Sequence, residues 1–226
     1  APFGMRESNP RSNRSKVSGP GAHAAMGKYF RTLIDPEDDK PYGPTFDFNA
    51  LIPMPEIALK VVENGIAPNV LAIMSRSNAM VETWERLRHF DRDGHMGVWK
   101  GLAGFDDGEI ESRLERCFPG CIEQAKTMAT CIGQTGHKSW YDWSIANWGT
   151  KWNAYQSFLT GEGDNAELRF QTAWSIPRPI LTALVKAEQN LTFSYWTFDE
   201  GWNFYGIGTG SNGEIAIYDR RGPTRD

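Results

Sequence analysis

The chain contains the same order of local patterns twice, and this repeat restricts the fold more than any other feature. Residues 12–18 form a first candidate strand, and Ser18-Gly19-Pro20 predicts a helix start, because a small polar cap precedes a proline. The predicted helix has an apolar face at helical spacing, formed by Met26, Phe30, Leu33 and Ile34. Residues 45–52 then alternate as a strand that stops at Pro53.

The second copy of the pattern lies in the last third of the chain. Residues 168–174 alternate as a strand, Ser175-Ile176-Pro177 opens a helix, and residues 191–198 alternate again. The apolar face of this helix is formed by Ile180, Leu181, Leu184 and Val185. Two strand–helix–strand units predict an α+β fold with a duplicated split βαβ, the ferredoxin-like antiparallel sheet.

A glycine-rich segment near the carboxyl terminus predicts an additional hairpin. Residues 202–206 and 214–218 alternate as strands on either side of the turn 208–213. The run Gly206-Ile207-Gly208-Thr209-Gly210 is not a phosphate-binding loop, because it leads into another strand and not into a helix.

Residues 56–133 carry apolar residues at helical spacing and predict a helical insertion. We expect this insertion to pack on a single domain that spans residues 5–226. Residues 1–4, which precede Met5, are interpreted as a vector remnant.

The charge of the chain is uneven. The 226 residues have a net charge of −4, yet residues 1–34 contain six basic side chains against one acid, Glu7. An acidic chain argues against a dedicated nucleic-acid binder, whereas this basic segment leaves the possibility open. Three cysteines and the absence of an apolar run of about 18 residues predict a cytoplasmic protein without a membrane partner.

Seven of the nine tryptophans lie between Trp140 and Trp202. Read as a strand, the segment 147–153 places Trp148 and Trp152 on one face and Lys151 on the other. Such a cluster is either a packed core or a platform for a base, a peptide or a sugar. The candidate binding residues are Arg14, Trp140, Trp143, Trp148, Lys151 and Trp152. The core interpretation predicts that Trp148 and Trp174 are buried on adjacent strands.

Two segments contain residue types that bind metals. Cys117, Cys121, Cys131 and His137 have a spacing that matches no familiar zinc site, and we expect reduced, unligated cysteines. The segment containing Asp91, Asp93 and His95 resembles the start of a calcium loop but has Leu102 where a bidentate Glu is needed. We therefore predict no metal and no cofactor, and we keep a metal-dependent enzyme that uses these three residues as a third hypothesis.

Four segments resemble the YubB-like family, a group of uncharacterised proteins with a ferredoxin-like domain that are carried on conjugative plasmids and phages. The matching residues are Ser12–Arg14 with Ser18–Pro20, Phe46–Asn49 with Ile52–Glu56, Asn147–Ala154, and Thr172–Pro177. The resemblance implies the fold and a mobile-element setting in a bacterial host. It implies no catalytic residue.

The sequence leaves two kinds of binding function open besides the metal enzyme. The leading hypothesis is a non-enzymatic accessory protein of a plasmid or phage that binds a host or mobile-element protein and counters host defence. The alternative is single-stranded nucleic-acid binding on an aromatic sheet face, with Trp148, Lys151 and Trp152 joined by the basic residues Arg11, Arg14 and Lys16.

Overall fold

The computed structural model describes residues 10–34, 41–63, 65–74, 107–199 and 204–221. It divides into two compact units, of which the first contains Ala1–Pro53 with Ser144–Asp226 and the second contains Met54–Trp143. The predicted insertion, 56–133, falls within the second unit. That residues 5–226 form one domain stays a prediction, and the expected vector remnant lies outside the described residues.

The first part of the chain forms β1 (Pro10–Ser18), α1 (Ala22–Gly27), β2 (Phe30–Ile34), β3 (Pro41–Phe46), a 3-10 turn (Phe48–Ala50), α2 (Glu56–Lys60) and α3 (Ala67–Met74). The later elements are α4 (Asp107–Cys117), α5 (Cys121–Thr135), α6 (Trp140–Trp148), β4 (Tyr155–Glu162), β5 (Asn165–Ala173), α7 (Arg178–Ala187), β6 (Thr192–Asp199), β7 (Phe204–Ser211) and β8 (Glu214–Arg221).

Six strands form one sheet in the order β4-β5-β1-β6-β7-β8, with every neighbouring pair antiparallel. Strands β5 and β6 are parallel to each other with β1 between them, and α7 connects them. Strands β1 and β4 are likewise parallel, with β5 between them. The result is two interleaved split βαβ units, which confirms the predicted ferredoxin-like α+β class.

The second strand of the first split βαβ unit is β4. The prediction that residues 45–52 form this strand is wrong. Strand β3 ends at Phe46 and pairs with β2 in a separate two-stranded sheet. The carboxylate of Asp47 accepts hydrogen bonds from the backbone and the side-chain amide of Asn49, and this turns the chain into the 3-10 turn. The predicted first helix is also too long, because Phe30 begins β2.

The aromatic segment 147–153 does not form the expected strand, because residues 147 and 148 end a helix and residues 149–153 follow it as irregular chain. Trp143, Ser144 and Trp148 are buried at helical spacing along α6, and Gly149 ends the helix with a φ of 78°. The predicted burial of Trp148 is correct, at 3% exposure, and its indole donates a hydrogen bond to the carbonyl of Ile52 over 2.8 Å.

The position of Gly149 leaves no room for a side chain. A Cβ there would lie 2.9 Å from Cδ of Pro179 and 3.2 Å from the carbonyl oxygen of Ile176. We expect Gly149→Ala to lower the free energy of unfolding by about 2 kcal/mol or more, from the left-handed backbone and the overlap together. Urea denaturation measures the loss.

Gly163 provides the matched control for this substitution. It has a φ of 53°, but a Cβ there would meet nothing within 4 Å. Gly163→Ala therefore incurs the backbone cost alone, about 1 kcal/mol. Equal losses for the two variants would show that the overlap at Gly149 is relieved without cost.

Aromatic rings form the core of the first unit. The ring of Phe170 lies 5.1 Å from that of Phe46 and 6.1 Å from that of Phe48, between centroids, and Phe48 lies 5.8 Å from Trp148. These tilted and edge-to-face contacts join β3 and the 3-10 turn to β5. The predicted apolar face of α7 is correct, since Ile180, Leu181, Leu184 and Val185 are all buried.

The second unit has two apolar clusters of its own. One is formed by Val70, Ile73, Leu114, Cys121 and Ala125. The other is formed by Ala58, Val61, Ala67, Met128 and Cys131. Helix α5 contributes to both clusters, and the remaining buried residues come from α2, α3, α4 and the turn after α2.

Candidate functional site

The two faces of the six-stranded sheet differ in composition because side chains alternate along each strand. In β1, Arg11, Asn13, Ser15 and Val17 are buried on one face, whereas Arg14 and Lys16 are exposed on the other. We call this second face, which carries Arg14, the open face.

The strand register places two rows of side chains across the open face. The first row crosses all six strands and consists of Phe158, Arg169, Arg14, Trp196, Ile207 and Tyr218. The second row consists of Gln171, Ser12, Phe198, Tyr205 and Arg220. Directly opposed residues on adjacent strands have Cβ atoms about 5 Å apart, so each row is a continuous surface.

The apolar members of these rows are exposed. Trp196 has 41% of its surface accessible, Phe198 37% and Tyr218 71%, and Phe158, Tyr205 and Ile207 are exposed as well. A single exposed aromatic residue on a monomer is ordinary, but a contiguous group of them marks an interaction surface. A groove of about 630 Å³ runs along the part of the two rows between β4 and β7.

Between Tyr205 and Ser211, strand β7 presents side chains to the open face only, because glycines occupy the other phase. Its glycines Gly206 and Gly210 occupy the opposite face, where a Cβ at Gly210 would lie 3.0 Å from Val185 of α7 and one at Gly206 would lie 2.8 Å from Thr197. These glycines allow close approach, which agrees with the conclusion that this run is not a phosphate-binding loop.

A carboxylate holds two arginines on the open face. Glu167 accepts a 2.6 Å hydrogen bond from Nη2 of Arg14 through one oxygen and a hydrogen bond from Nε of Arg169 through the other. The guanidinium carbon of Arg14 lies 5.9 Å from the centroid of the Trp196 ring. The hydrogen bond from Arg14, and to a smaller extent that from Arg169, lowers the pKa of Glu167 against the opposing effect of burial.

The buried face of the same strands is polar at one end of the sheet. The side-chain amide of Asn13 donates to Oγ1 of Thr172 over 3.0 Å, and its carbonyl accepts from the hydroxyl of Tyr195. Burial raises the pKa of Tyr195, so this hydroxyl stays a donor at neutral pH. Arg11 forms an ion pair with the buried Asp199. These contacts fix β5, β1 and β6 under the two rows.

Of the six predicted binding residues, the structure places only Arg14 on the open face. Trp143 and Trp148 are buried, and Trp140 packs against the second cluster of the helical unit. The expectation that Arg11 serves the same surface as Arg14 is wrong, because the two side chains point to opposite faces of β1. Lys16 is exposed on the open face, as that hypothesis requires.

Lys151 and Trp152 form a separate cluster with Trp174. The ammonium of Lys151 lies 4.4 Å from the Trp152 ring centroid and 5.0 Å from that of Trp174. The prediction that Trp174 is buried on a strand beside Trp148 is wrong, because Trp174 is 42% exposed and follows the end of β5 with a φ of 66°. The left-handed backbone interrupts the alternation on which the prediction was based, and Nε of Arg11 holds the carbonyl of Trp174 at 2.9 Å.

Six residues of the two rows were not predicted from the sequence: Phe158, Arg169, Trp196, Phe198, Tyr205 and Tyr218. A signal was present in the segment 192–199, where aromatic residues occupy both phases of the alternation. Phe193 and Tyr195 fill the core phase, so Trp196 and Phe198 are aromatic side chains on the other face.

The sequence named two groups of candidate metal ligands while predicting that no metal binds. In the described part of the chain, no three His, Cys, Asp or Glu side chains come together as metal ligands. Asp91, Asp93 and His95 lie outside the described residues. The expected absence of zinc stays a prediction. Cys131 is fully buried in an apolar cluster, which is the usual environment of a small core residue.

The three thiols differ in accessibility, and this predicts their reactivity. Cys117 is exposed, whereas burial and then the charge of Glu115 raise the pKa of the buried Cys121 to about 11. We expect iodoacetamide at pH 8 to modify Cys117 in the folded protein, and to modify Cys121 and Cys131 only after denaturation, because the thiolate is the nucleophile. Peptide mass spectrometry measures the sites. Equal labelling of Cys117 and Cys121 in the folded protein would contradict the buried position.

Within the described residues, no helix combines the length and the apolar composition that crossing a membrane requires.

Comparison with known proteins finds a similarity to one family in the last third of the chain. Residues 147–221 match the family model described as a ferredoxin-like domain in Api92-like protein. No curated protein matches the sequence. A crystal structure of a protein api92 from Yersinia pseudotuberculosis aligns over 96% of this chain and 99% of its own, with 11% identity and a TM-score of 0.39. That similarity is too distant to inform the site.

Proposed function

We propose that this protein binds single-stranded nucleic acid on the open face of its six-stranded sheet. The observation that carries the proposal is the first row, in which three aromatic side chains, two arginines and Ile207 follow one another across the whole sheet. The proposal keeps the chemistry of the alternative hypothesis from the sequence and replaces most of its residues.

The aromatic side chains supply surfaces on which bases stack. Trp196 and Phe198 lie two residues apart on β6, and Tyr205 faces Phe198 on β7. Every base has a π-face, so stacking of this kind tolerates sequence variation and contributes about 1–3 kcal/mol per base. Unstacked bases are exposed in single strands and enclosed in a duplex, so these surfaces favour a single strand.

The arginines supply contacts for the phosphates. The two rows contain Arg14, Arg169 and Arg220 and no carboxylate, on a chain whose net charge is −4. Lys16 lies in the adjacent row, opposite Glu167. This local excess of positive charge complements a polyanion, although it is smaller than the basic stripe of a duplex binder.

A titration of fluorescently labelled 12-nucleotide DNA and RNA, followed by anisotropy, tests the proposal. We expect saturable binding whose logarithmic affinity falls with the logarithm of salt at a slope of about −1 to −3, for two to four phosphate contacts. A hairpin duplex of the same length should bind more weakly. Absence of saturable binding to either single strand at low salt would overturn the proposal.

A protein partner is the second candidate, and Ile207 and Tyr218 favour it. These neighbouring side chains at the β7–β8 end of the first row are exposed by 51% and 71%, and protein interfaces are enriched in aromatic residues. Under this proposal the chain is a cytoplasmic accessory protein of a plasmid or phage that binds a host or mobile-element protein in counter-defence. The resemblance to the YubB-like family supports that setting.

Affinity capture from a bacterial lysate tests the second candidate. A specific protein partner should be retained by the unsubstituted chain and lost with Tyr218→Ala. A captured protein that is retained equally by both would show that this part of the open face is not its binding surface.

A further inference from the structure

Glu167 occupies an unusual position for a carboxylate on a surface that binds an anion. It lies one row from the center of the open face, where it is mostly covered, and it contacts both Arg14 and Arg169. Since these two arginines stand side by side in the first row, one carboxylate reduces the positive charge at the middle of the proposed binding surface.

The carboxylate is ionised at neutral pH, because its two arginine partners favour the charged form. The group of three side chains therefore carries one net positive charge in place of two. Glu167 also fixes the guanidinium of Arg14 near the Trp196 ring, so a base stacked on that ring would meet a positioned cation.

We propose that Glu167 is a specificity-determining residue that makes the open face select single-stranded over double-stranded nucleic acid. This inference rests on the proposed function of the face.

The selection follows from the different ways in which the two ligands bind. A duplex encloses its bases, so its affinity for a surface depends on the number of phosphates that cations neutralise. A single strand adds stacking on Trp196, Phe198 and Tyr205 to the same phosphate contacts. Because a duplex carries about twice as much phosphate charge per unit length as one strand, reducing the positive charge weakens duplex binding by a larger factor than single-strand binding.

The variant Glu167→Gln tests the inference because it removes the charge and keeps the shape and one hydrogen-bond acceptor. Glu162→Gln is the matched control, since Glu162 is an exposed carboxylate at the β4–β5 turn and its loss changes the net charge by the same amount. Both variants are titrated with a 12-nucleotide single strand and a 12-base-pair duplex at several salt concentrations.

We expect Glu167→Gln to raise duplex affinity about tenfold and single-strand affinity about threefold or less, and to steepen the duplex salt slope by about 1. The ratio of single-strand to duplex affinity then falls. Glu162→Gln should change that ratio by less than about twofold, because Glu162 is exposed and lies four residues along β4 from Phe158 of the first row, about 13 Å, where about 0.1 M salt screens its charge. Equal ratios for the two variants would overturn the inference and leave the proposed function standing. Absence of single-strand binding by the unsubstituted protein would overturn both.

Discussion

Replacing Trp196 and Phe198 together with alanine is expected to lower the affinity for a single-stranded oligonucleotide about a hundredfold or more. The two side chains are neighbours on the open face of β6, and both are accessible, at 41% and 37%. Each base that loses an aromatic partner costs about 1–3 kcal/mol, and 1.4 kcal/mol corresponds to a factor of ten in affinity. Anisotropy titration of the doubly substituted protein measures the loss, and circular dichroism checks that the sheet is intact.

Trp174→Ala is the control for this prediction, because Trp174 has the same residue type and, at 42%, nearly the same exposure as Trp196. It lies beyond the end of β5, beside Lys151, and belongs to neither row. Its substitution should leave the affinity within about twofold. A large loss with Trp174→Ala and none at Trp196 and Phe198 would move the binding surface to the Lys151 cluster.

The second large effect is expected in the core. Phe170 is 1% exposed and packs on Phe46 and Phe48, which belong to β3 and the 3-10 turn. Phe170→Ala should lower the free energy of unfolding by about 3–5 kcal/mol, because the transfer free energy of the ring is lost and a cavity remains. Urea denaturation measures the difference, provided that the unfolding free energies of the two proteins depend equally on urea concentration.

Phe158→Ala makes the same chemical change on the open face, where the side chain is 60% exposed. Its effect on unfolding should be within about 0.5 kcal/mol, as for surface substitutions without a special role. Similar losses for Phe158→Ala and Phe170→Ala would mean that the two faces of the sheet are not as different as the structure describes.

The parts of the fold that local pattern determines were predictable. The segment 178–187 has both a helical period and a proline at its start, and the structure confirms its apolar face. The glycine-rich strand β7 could be distinguished from a phosphate-binding loop because another strand follows it and not a helix. Both conclusions depend on residues within about ten positions of one another, where periodicity is informative.

The errors occurred where long-range contacts decide the structure. The segment 45–52 alternates like a strand, but Asn153 donates a 2.7 Å hydrogen bond to Asp47 and accepts one from the backbone amide of Phe48. Those contacts join residues more than a hundred positions apart, and a local pattern contains no information about them. Strand β4 likewise joins β1 in the first split βαβ unit through contacts between segments that are far apart in the sequence.

The proposed binding surface was mostly missed because tryptophan density was taken as the signal. Trp143 and Trp148 are buried side chains of helix α6, whereas the exposed aromatic residues are spread over β4, β6, β7 and β8. Only the strand register brings them into rows, and register is set by pairing between distant segments. Alternation within β1 is a local property, and it would have separated Arg14 from Arg11, which lies on the opposite face.

Mapping a bound single strand by NMR tests the central claim most directly. Backbone amide shifts are compared with and without a 12-nucleotide strand. We expect the largest changes at residues 12–16, 167–171, 194–198 and 205–209, the parts of β1, β5, β6 and β7 that carry the two rows. Shifts concentrated instead at residues 149–153 and 174–178, or within helices α4 and α5, would contradict binding on the open face.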